Sequence, residues 1–227
     1  MKPGIVILAA GESSRMGTPK QLLMYAGETL LQRTINAAQA VAENVIVVLG
    51  ANAQAVARAS SPSAVNLSSE TNAQELSNAS RPTGWKPVPQ FVENHNWREG
   101  MGTSVSLGLR TLLEAHPDTK AVIFLLCDQP LLSSEILQQI IAQHEATDRP
   151  IVAAEYNGTL GVPALFAASL FPALLDLTGA EGARKVIKQH RPEALGVPFP
   201  AGAMDIDTPA DYAQLAEIPL SPNLILA

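Results

Sequence analysis

Ile5-Val6-Ile7-Leu8-Ala9-Ala10-Gly11-Glu12-Ser13-Ser14-Arg15-Met16-Gly17-Thr18-Pro19-Lys20 is the stretch on which the fold turns. Its opening, Ile5 to Ala9, is an unbroken apolar run. A strand wetted on one face would alternate apolar and polar residues. An unbroken run predicts a strand covered on both faces, as in a parallel sheet flanked by helices. The second half changes abruptly to small and polar residues. Its spacing fits neither the G-x-G-x-x-G fingerprint nor the Walker loop. Small residues still let backbone N–H groups close on an anion, and Arg15 and Lys20 add positive charge. The loop therefore reads either as a phosphate cradle or as an ordinary strand-to-helix loop with two solvated cations.

Working outward, helix-like and strand-like runs alternate. Leu30, Leu31, Ile35, Ala38 and Val41 recur at helical spacing over Glu28 to Ala42. Val45 to Leu49 reads as a strand, Ala53 to Ala59 as a short helix and Gln90 to Val92 as a third strand. Thr103 to Leu113 predicts a helix opened by glycine and serine, and Ala121 to Leu126 is the most continuous strand run. Ser133 opens a helix over Ser134 to Glu145, and Ile151 to Glu155 is a further strand. This order predicts an α/β fold, a mainly parallel sheet with helices on both faces. After Glu155 the order loosens. A turn at Tyr156-Asn157-Gly158, a short strand over Pro163 to Phe166, and helices over Ala183 to His190 and Asp207 to Leu215 suggest a mixed sheet with an antiparallel excursion. Residues 60–89 are rich in serine and proline and carry no periodicity. They read as a surface insertion in a single domain spanning 1–227.

Composition narrows the function classes. The chain has 227 residues, 47% of them hydrophobic, enough for one sizeable core. A formal net charge of −6 argues against a nucleic-acid partner, and 4% aromatic residues argue against base-stacking platforms. A single cysteine, Cys127, excludes a disulfide framework and a zinc–thiolate cluster. No apolar run reaches the roughly 18 residues of a membrane span. Met1-Lys2-Pro3 leads into a strand and a polar loop, not a signal peptide, so a cytoplasmic protein without a membrane partner is expected.

Three further segments could carry chemistry. Cys127-Asp128-Gln129-Pro130 follows the most continuous strand run, where ligands of open α/β sheets bind. Asp128 there can hold Mg²⁺, which favours one or two carboxylates plus substrate phosphates, or it can cap a turn. Cys127 reads as a buried small hydrophobe. Asp205 and Asp207 are separated by one residue, so in an extended segment both would face one side. Either they meet one ion, or Asp207 or Thr208 caps the helix at Pro209, or both hold. Gly100-Met101-Gly102-Thr103-Ser104 opens a helix with free N–H donors and hydroxyls, which can grip a base or ribose or simply cap the helix. His95, His116, His144 and His190 are scattered without ligand spacing.

Leu8 to Lys20, followed by Gln21-Leu22-Leu23, resembles the nucleotide-binding signature of the MobA-like nucleotidyltransferases. Asn94-x-x-Trp97-x-x-Gly100 with Gly102 and Ser104, Asp128-Gln129-Pro130, Gly182-Ala183-Arg184 and Asp205-Ile206-Asp207-Thr208-Pro209 resemble further motifs of that family. Within it the chain is most similar to the molybdenum cofactor cytidylyltransferases, because Ala9-Ala10-Gly11 resembles the cytidine-using members. The resemblance covers nearly the whole chain except 60–89. It implies a Rossmann-like three-layer sandwich of the nucleotide-diphospho-sugar transferase type, and transfer of CMP from CTP to a molybdopterin-type cofactor. It implies that Ala9, Ala10 and Gly11 contact the base, that Arg15 and Lys20 hold the triphosphate, and that Gly102 and Ser104 help to read the base. Asp128, Asp205 and Asp207 would hold Mg²⁺, and a molybdoenzyme or its chaperone would be the onward partner. Two departures stand out: Val162 where relatives carry Gly-His-Pro, and Ala180 where they carry Gly-Asp-x-Gly-Ala-Arg. Both fall in the half that the resemblance gives to the second substrate. A cytidylyltransferase for a sugar or polyol phosphate and a non-catalytic cofactor carrier are the alternatives.

Overall fold

The structure, a computed structural model, describes residues 2–60 and 88–217. The insertion expected at 60–89 falls almost wholly outside these residues. In chain order the elements are β1 (Gly4–Ala9), a small hairpin of β2 (Met24–Tyr25) and β3 (Glu28–Thr29), α1 (Leu30–Gln39), β4 (Val45–Leu49), α2 (Ala53–Ser60) and β5 (Gln90–Glu93). Then come α3 (Met101–Ala115), β6 (Ala121–Leu126), α4 (Ser134–Thr147), β7 (Ile151–Tyr156), β8 (Thr159–Ala167), α5 (Phe171–Leu175), α6 (Arg184–Gln189), β9 (Ala194–Pro198) and α7 (Pro209–Glu217).

Seven strands form one sheet in the order β5-β4-β1-β6-β8-β7-β9. All neighbours are parallel except β8, which runs antiparallel to both β6 and β7. The sheet is thus mostly parallel with one antiparallel strand, as the alternation of elements implies. Every residue of β1 is buried, which explains its unbroken apolar sequence. Successive side chains go to opposite faces. Ile5 and Ile7 pack with α1, α2 and α4 on one side, and Val6 and Leu8 pack with α3, α5 and α6 on the other. Gly108 lets α3 lie close on β1, since a Cβ there would sit 2.4 Å from Val6 Cγ1. Among the described residues no helix is long and apolar enough to cross a membrane.

Local sequence explains most boundaries. Thr29 caps α1, its hydroxyl accepting from Gln32 N at 3.1 Å. Ser133 has the extended backbone of an N-cap but makes no capping hydrogen bond. Asn157 and Gly158 both take positive φ, 50° and 68°, as the tight turn joining β7 to β8 requires. Strand β8 is far longer than the Pro163–Phe166 segment legible from sequence, because Gly161 and Pro163 break its apolar pattern. The edge strand β9, whose apolar residues are interrupted by Gly196 and closed by Pro198, and the two-residue strands of the β2–β3 hairpin are not read from sequence.

Candidate active site

Strands β1 and β6 run side by side in the middle of the sheet, with Leu8 paired to Leu126. The loop leaving β1 and the segment leaving β6 therefore emerge together at the carboxyl edge of the sheet, where open α/β folds bind ligands. The first loop is held in shape by Gln21, which is buried. Its Nε2 donates to the carbonyls of Ala9 at 2.8 Å and Gly11 at 3.1 Å. Ala51 N donates to the Ala10 carbonyl at 3.2 Å, and Lys20 N donates to Ser13 Oγ at 3.0 Å. Ser13 and Gly17 turn the chain through positive φ. The loop's carbonyls are thus tied inward. Among the described residues, the backbone N–H groups of Gly11 to Arg15 donate to no other backbone group, which suits them to an anion.

Lys20 closes the loop over Asp128. Its Nζ donates to Asp128 Oδ2 at 2.5 Å and to Asp207 Oδ1 at 3.1 Å, and Arg15 donates to Asp207 Oδ2 at 2.8 Å. Burial alone pulls the Lys20 ammonium down. The charge of Asp128 and the hydrogen bonds to Asp128 and Asp207 outweigh it, so its pKa is raised and it stays charged. The bond from Lys20 holds the Asp207 carboxyl below the usual carboxylate range, helped by Arg15. Asp205 is pushed the other way, up to about 6, by burial and then by the charges of Asp128 and Asp207. Burial likewise pushes the Cys127 thiol up to about 12, so it is no nucleophile at neutral pH.

The acids are placed by backbone as well as by charge. Ile206 N donates to the Asp128 carbonyl at 3.1 Å, pinning the Asp205–Asp207 segment to the end of β6. Capping of α7 falls to Thr208 and Asp211. The Asp211 carboxylate accepts from Thr208 N at 2.7 Å and Asp207 N at 3.1 Å, and Asp211 N donates to Thr208 Oγ1 at 3.3 Å. Asp128 likewise gives its side chain to Lys20. A divalent cation fits part of this set. Asp128 Oδ1 is buried without a hydrogen-bond partner, and Asp205 is raised by burial first and then by the charges of Asp128 and Asp207. A hard cation with oxygen ligands would relieve both. Among the described residues no three His, Cys, Asp or Glu side chains are grouped to hold a metal. Asp207 is already engaged by Arg15 and Lys20.

A cleft of about 210 Å³ opens here. Ala9, Ala10, Gly11, Lys20, Ser104 and Asp128 all line it, together with Trp97. Its far wall is the start of α3, organised by buried Asn94, whose Nδ2 donates to Ser104 Oγ and Thr103 Oγ1, both at 2.9 Å. That leaves the Ser104 hydroxyl oriented to donate. Gly102 stands behind this wall. Its N–H goes to the Gly179 carbonyl at 2.9 Å, and a Cβ on it would lie 2.7 Å from the Thr178 backbone. Its place is a close approach of two chains, and it is not among the residues lining the cleft.

A second cavity of about 490 Å³ shares Leu8, Met101 and Leu126 with the first. Tyr156, Thr159, Val162, Arg184 and Asp205 line it. Arg184 donates to Thr159 Oγ1 at 3.2 Å, and Tyr156 OH to the Val162 carbonyl at 3.2 Å. Buried Gln129 braces the second cavity from behind: its Nε2 donates to the carbonyls of Val162, which lines that cavity, and of Gly202, each at 3.1 Å. Gln21, Trp97, Gln129 and Arg184 stand within the motifs quoted above, yet nothing in the sequence assigned them these contacts. Tyr156 was legible only as part of a turn.

The MobA-like NTP transferase domain family matches residues 5–194. Asp205 and Asp207 lie beyond that match, so their placement rests on geometry. A protein named nicotine blue oxidoreductase, from Paenarthrobacter nicotinovorans, is 34% identical over 81% of this chain and 80% of its own. A probable molybdenum cofactor guanylyltransferase from Nostoc sp. is 26% identical over 96% of this chain and 93% of its own. Among solved structures, Rv0371c from Mycobacterium tuberculosis H37Rv superposes with a TM-score of 0.70 at 28% identity, covering 96% of this chain and all of that one. Its manganese complex superposes with a TM-score of 0.66 at 27% identity, with coverage of 96% and 100%.

Proposed function

The chain belongs to the MobA-like NTP transferase family and is a nucleotidyltransferase, and from that premise we propose that it transfers CMP from CTP to a molybdopterin-type molybdenum cofactor, releasing pyrophosphate. One observation carries the reading: a cleft with an anion loop and a Lys20–Asp128 pair opens, across a shared wall, onto a cavity that holds Arg184. The triphosphate lies along Gly11 to Lys20, with Arg15 at the loop's rim. The acceptor's terminal phosphate is anchored by Arg184. The Ala9-Ala10-Gly11 form and the Ser104 hydroxyl support cytosine as the base.

In the reaction a phosphate oxygen of the acceptor attacks the α-phosphorus of CTP in line. A new phosphoanhydride bond forms, and the bond from the α-phosphorus to the α–β bridging oxygen breaks, its electrons leaving with pyrophosphate. The nucleophile is ionised at neutral pH, so no general base is needed. Lys20 and Arg15 stabilise charge on the triphosphate, Arg184 orients the attacking group, and Gln21 keeps the N–H loop in shape. Asp128 and Asp205 would hold Mg²⁺, which supplies charge neutralisation at the phosphates.

A pyrophosphate-release assay tests this, running each nucleoside triphosphate against purified molybdenum cofactor and a panel of sugar and polyol phosphates. Release with CTP and molybdenum cofactor is expected. Release only with a sugar or polyol phosphate moves the acceptor. Binding of the cofactor without release under any nucleotide identifies a carrier.

A further inference from the structure

The proposed reaction leaves one large side chain of the nucleotide cleft without a task. Trp97 lines the same cleft as Lys20 and Asp128, and it is the one aromatic residue among those lining it. It sits in a short 3₁₀ turn, Trp97–Glu99, just before α3. Its stem is fixed: Gly50 faces it so closely that a Cβ there would lie 2.8 Å from Trp97 Cβ. The ring is partly buried and packs against the cluster that includes Leu8, Ala10 and Val105. The guanidinium of Arg98 lies over the indole, 4.4 Å from the ring centroid. An indole held at both its stem and one face has little freedom left to lose on meeting a ligand.

The polarity of the cleft dictates which part of a nucleotide meets this ring. The N–H loop and Lys20 take phosphates, so a nucleotide enters with its triphosphate at the loop and its base toward the other wall, formed by residues 97 to 104. We infer that Trp97, braced by Arg98, is the platform on which the nucleobase stacks, and that it supplies affinity without base selectivity. This rests on the reading of the cleft as the nucleoside triphosphate site. Every base has a π-face, so stacking on an indole tolerates all of them. Selection between bases then falls to groups that meet the base edge, Ser104 and the backbone around Ala10. With Arg98 over one face and the ring packed against the apolar cluster, the part of the indole left to a ligand is the part that lines the cleft.

Trp97→Phe, Trp97→Leu and Ser104→Ala would be titrated with the Mg²⁺ complexes of CTP, GTP, ATP and UTP by calorimetry, with melting curves to establish that each variant is folded. Trp97→Leu keeps apolar bulk and loses the π-face. It is expected to weaken all four nucleotides by about tenfold to a hundredfold, with the CTP:GTP ratio unchanged. Trp97→Phe should stay within about threefold of wild type, since a π-face remains. Ser104→Ala should change the ratio more than the affinity. The chain has two tryptophans, so Trp85→Phe isolates Trp97, whose emission should be quenched by each nucleotide. Wild-type affinity in Trp97→Leu, a loss confined to one nucleotide, or emission indifferent to nucleotide would each overturn the platform while leaving the cleft's assignment standing. Failure of the wild type to bind any of the four would overturn both.

Discussion

The two cavities share a wall yet are built by different means. In the first cleft one wall is backbone, a loop of small residues after a central parallel strand, with the carbonyls of Ala9 and Gly11 tied by one buried amide, Gln21. The second cavity, where the acceptor is proposed to sit, is lined by side chains, Tyr156, Thr159, Arg184 and Asp205, drawn from the β7–β8 hairpin, the start of α6 and the segment before α7. A backbone wall can be altered only by changing what holds the backbone. A side-chain site can be re-cut one residue at a time. The two departures part company here: Val162 lines the second cavity, whereas the backbone of Ala180 packs against Gly100 in the wall of the first cleft.

The largest effect should come from the partly buried carboxylate of the first cleft, Asp128. Asp128→Asn keeps the shape and removes a charge. Turnover should fall by about 10² or more, roughly 2.7 kcal/mol, in the pyrophosphate assay. Lys20 retains Asp207 as a partner, so the melting temperature should move by only a few degrees. Unaltered turnover would remove Asp128 from the chemistry. Next is Gln21→Leu, which strips the amide from the Ala9 and Gly11 carbonyls. It should cost about 2 kcal/mol of stability and raise KM for CTP, leaving the acceptor's KM alone. A change in both KM values would mean that the halves are mechanically coupled through the shared wall.

Arg184→Gln should do the reverse, raising the acceptor's KM about tenfold (1.4 kcal/mol) with KM for CTP unchanged. The smallest effect concerns Asp205. Its carboxyl titrates near pH 6 in the folded chain and near 3.8 when unfolded. The folded state therefore holds the proton more tightly, and this group's stabilising contribution, full below about pH 4, is lost as pH rises through 6. In metal-free buffer Asp205→Asn should melt higher than wild type at pH 7.5, by on the order of 2 °C, and match it near pH 4. Added Mg²⁺ should narrow the gap by stabilising the wild type. A gap that persists at pH 4 would have a cause other than this proton.

The same contrast governs what the sequence discloses. The parallel core was legible because strands buried on both faces must be apolar throughout, as β1, β4 and β6 are. The loop from Ala9 to Lys20 was legible because its residues are contiguous, and the sequence placed Asp128 at a strand's end by the same logic. The second cavity was not, since Tyr156 and Arg184 are neighbours only through the folding of β8 against β7. The capping of α7 by Thr208 with Asp211 follows local rules and could be read. The ion pairs that Arg15 and Lys20 make with Asp207 span nearly the whole chain, and no local pattern announces them.

One antiparallel strand also sets the order of assembly. The β7–β8 hairpin closes through a two-residue turn, an event of microseconds. By contrast, Gly4 must find Val122 before β1 can dock on β6, and such distant parallel pairings are slow to form. On these rates the hairpin that carries Tyr156 and Thr159 is expected to form before the anion loop is complete. Lys20 meets Asp128 only where β1 lies beside β6, so that ion pair reports the closure of the sheet's centre.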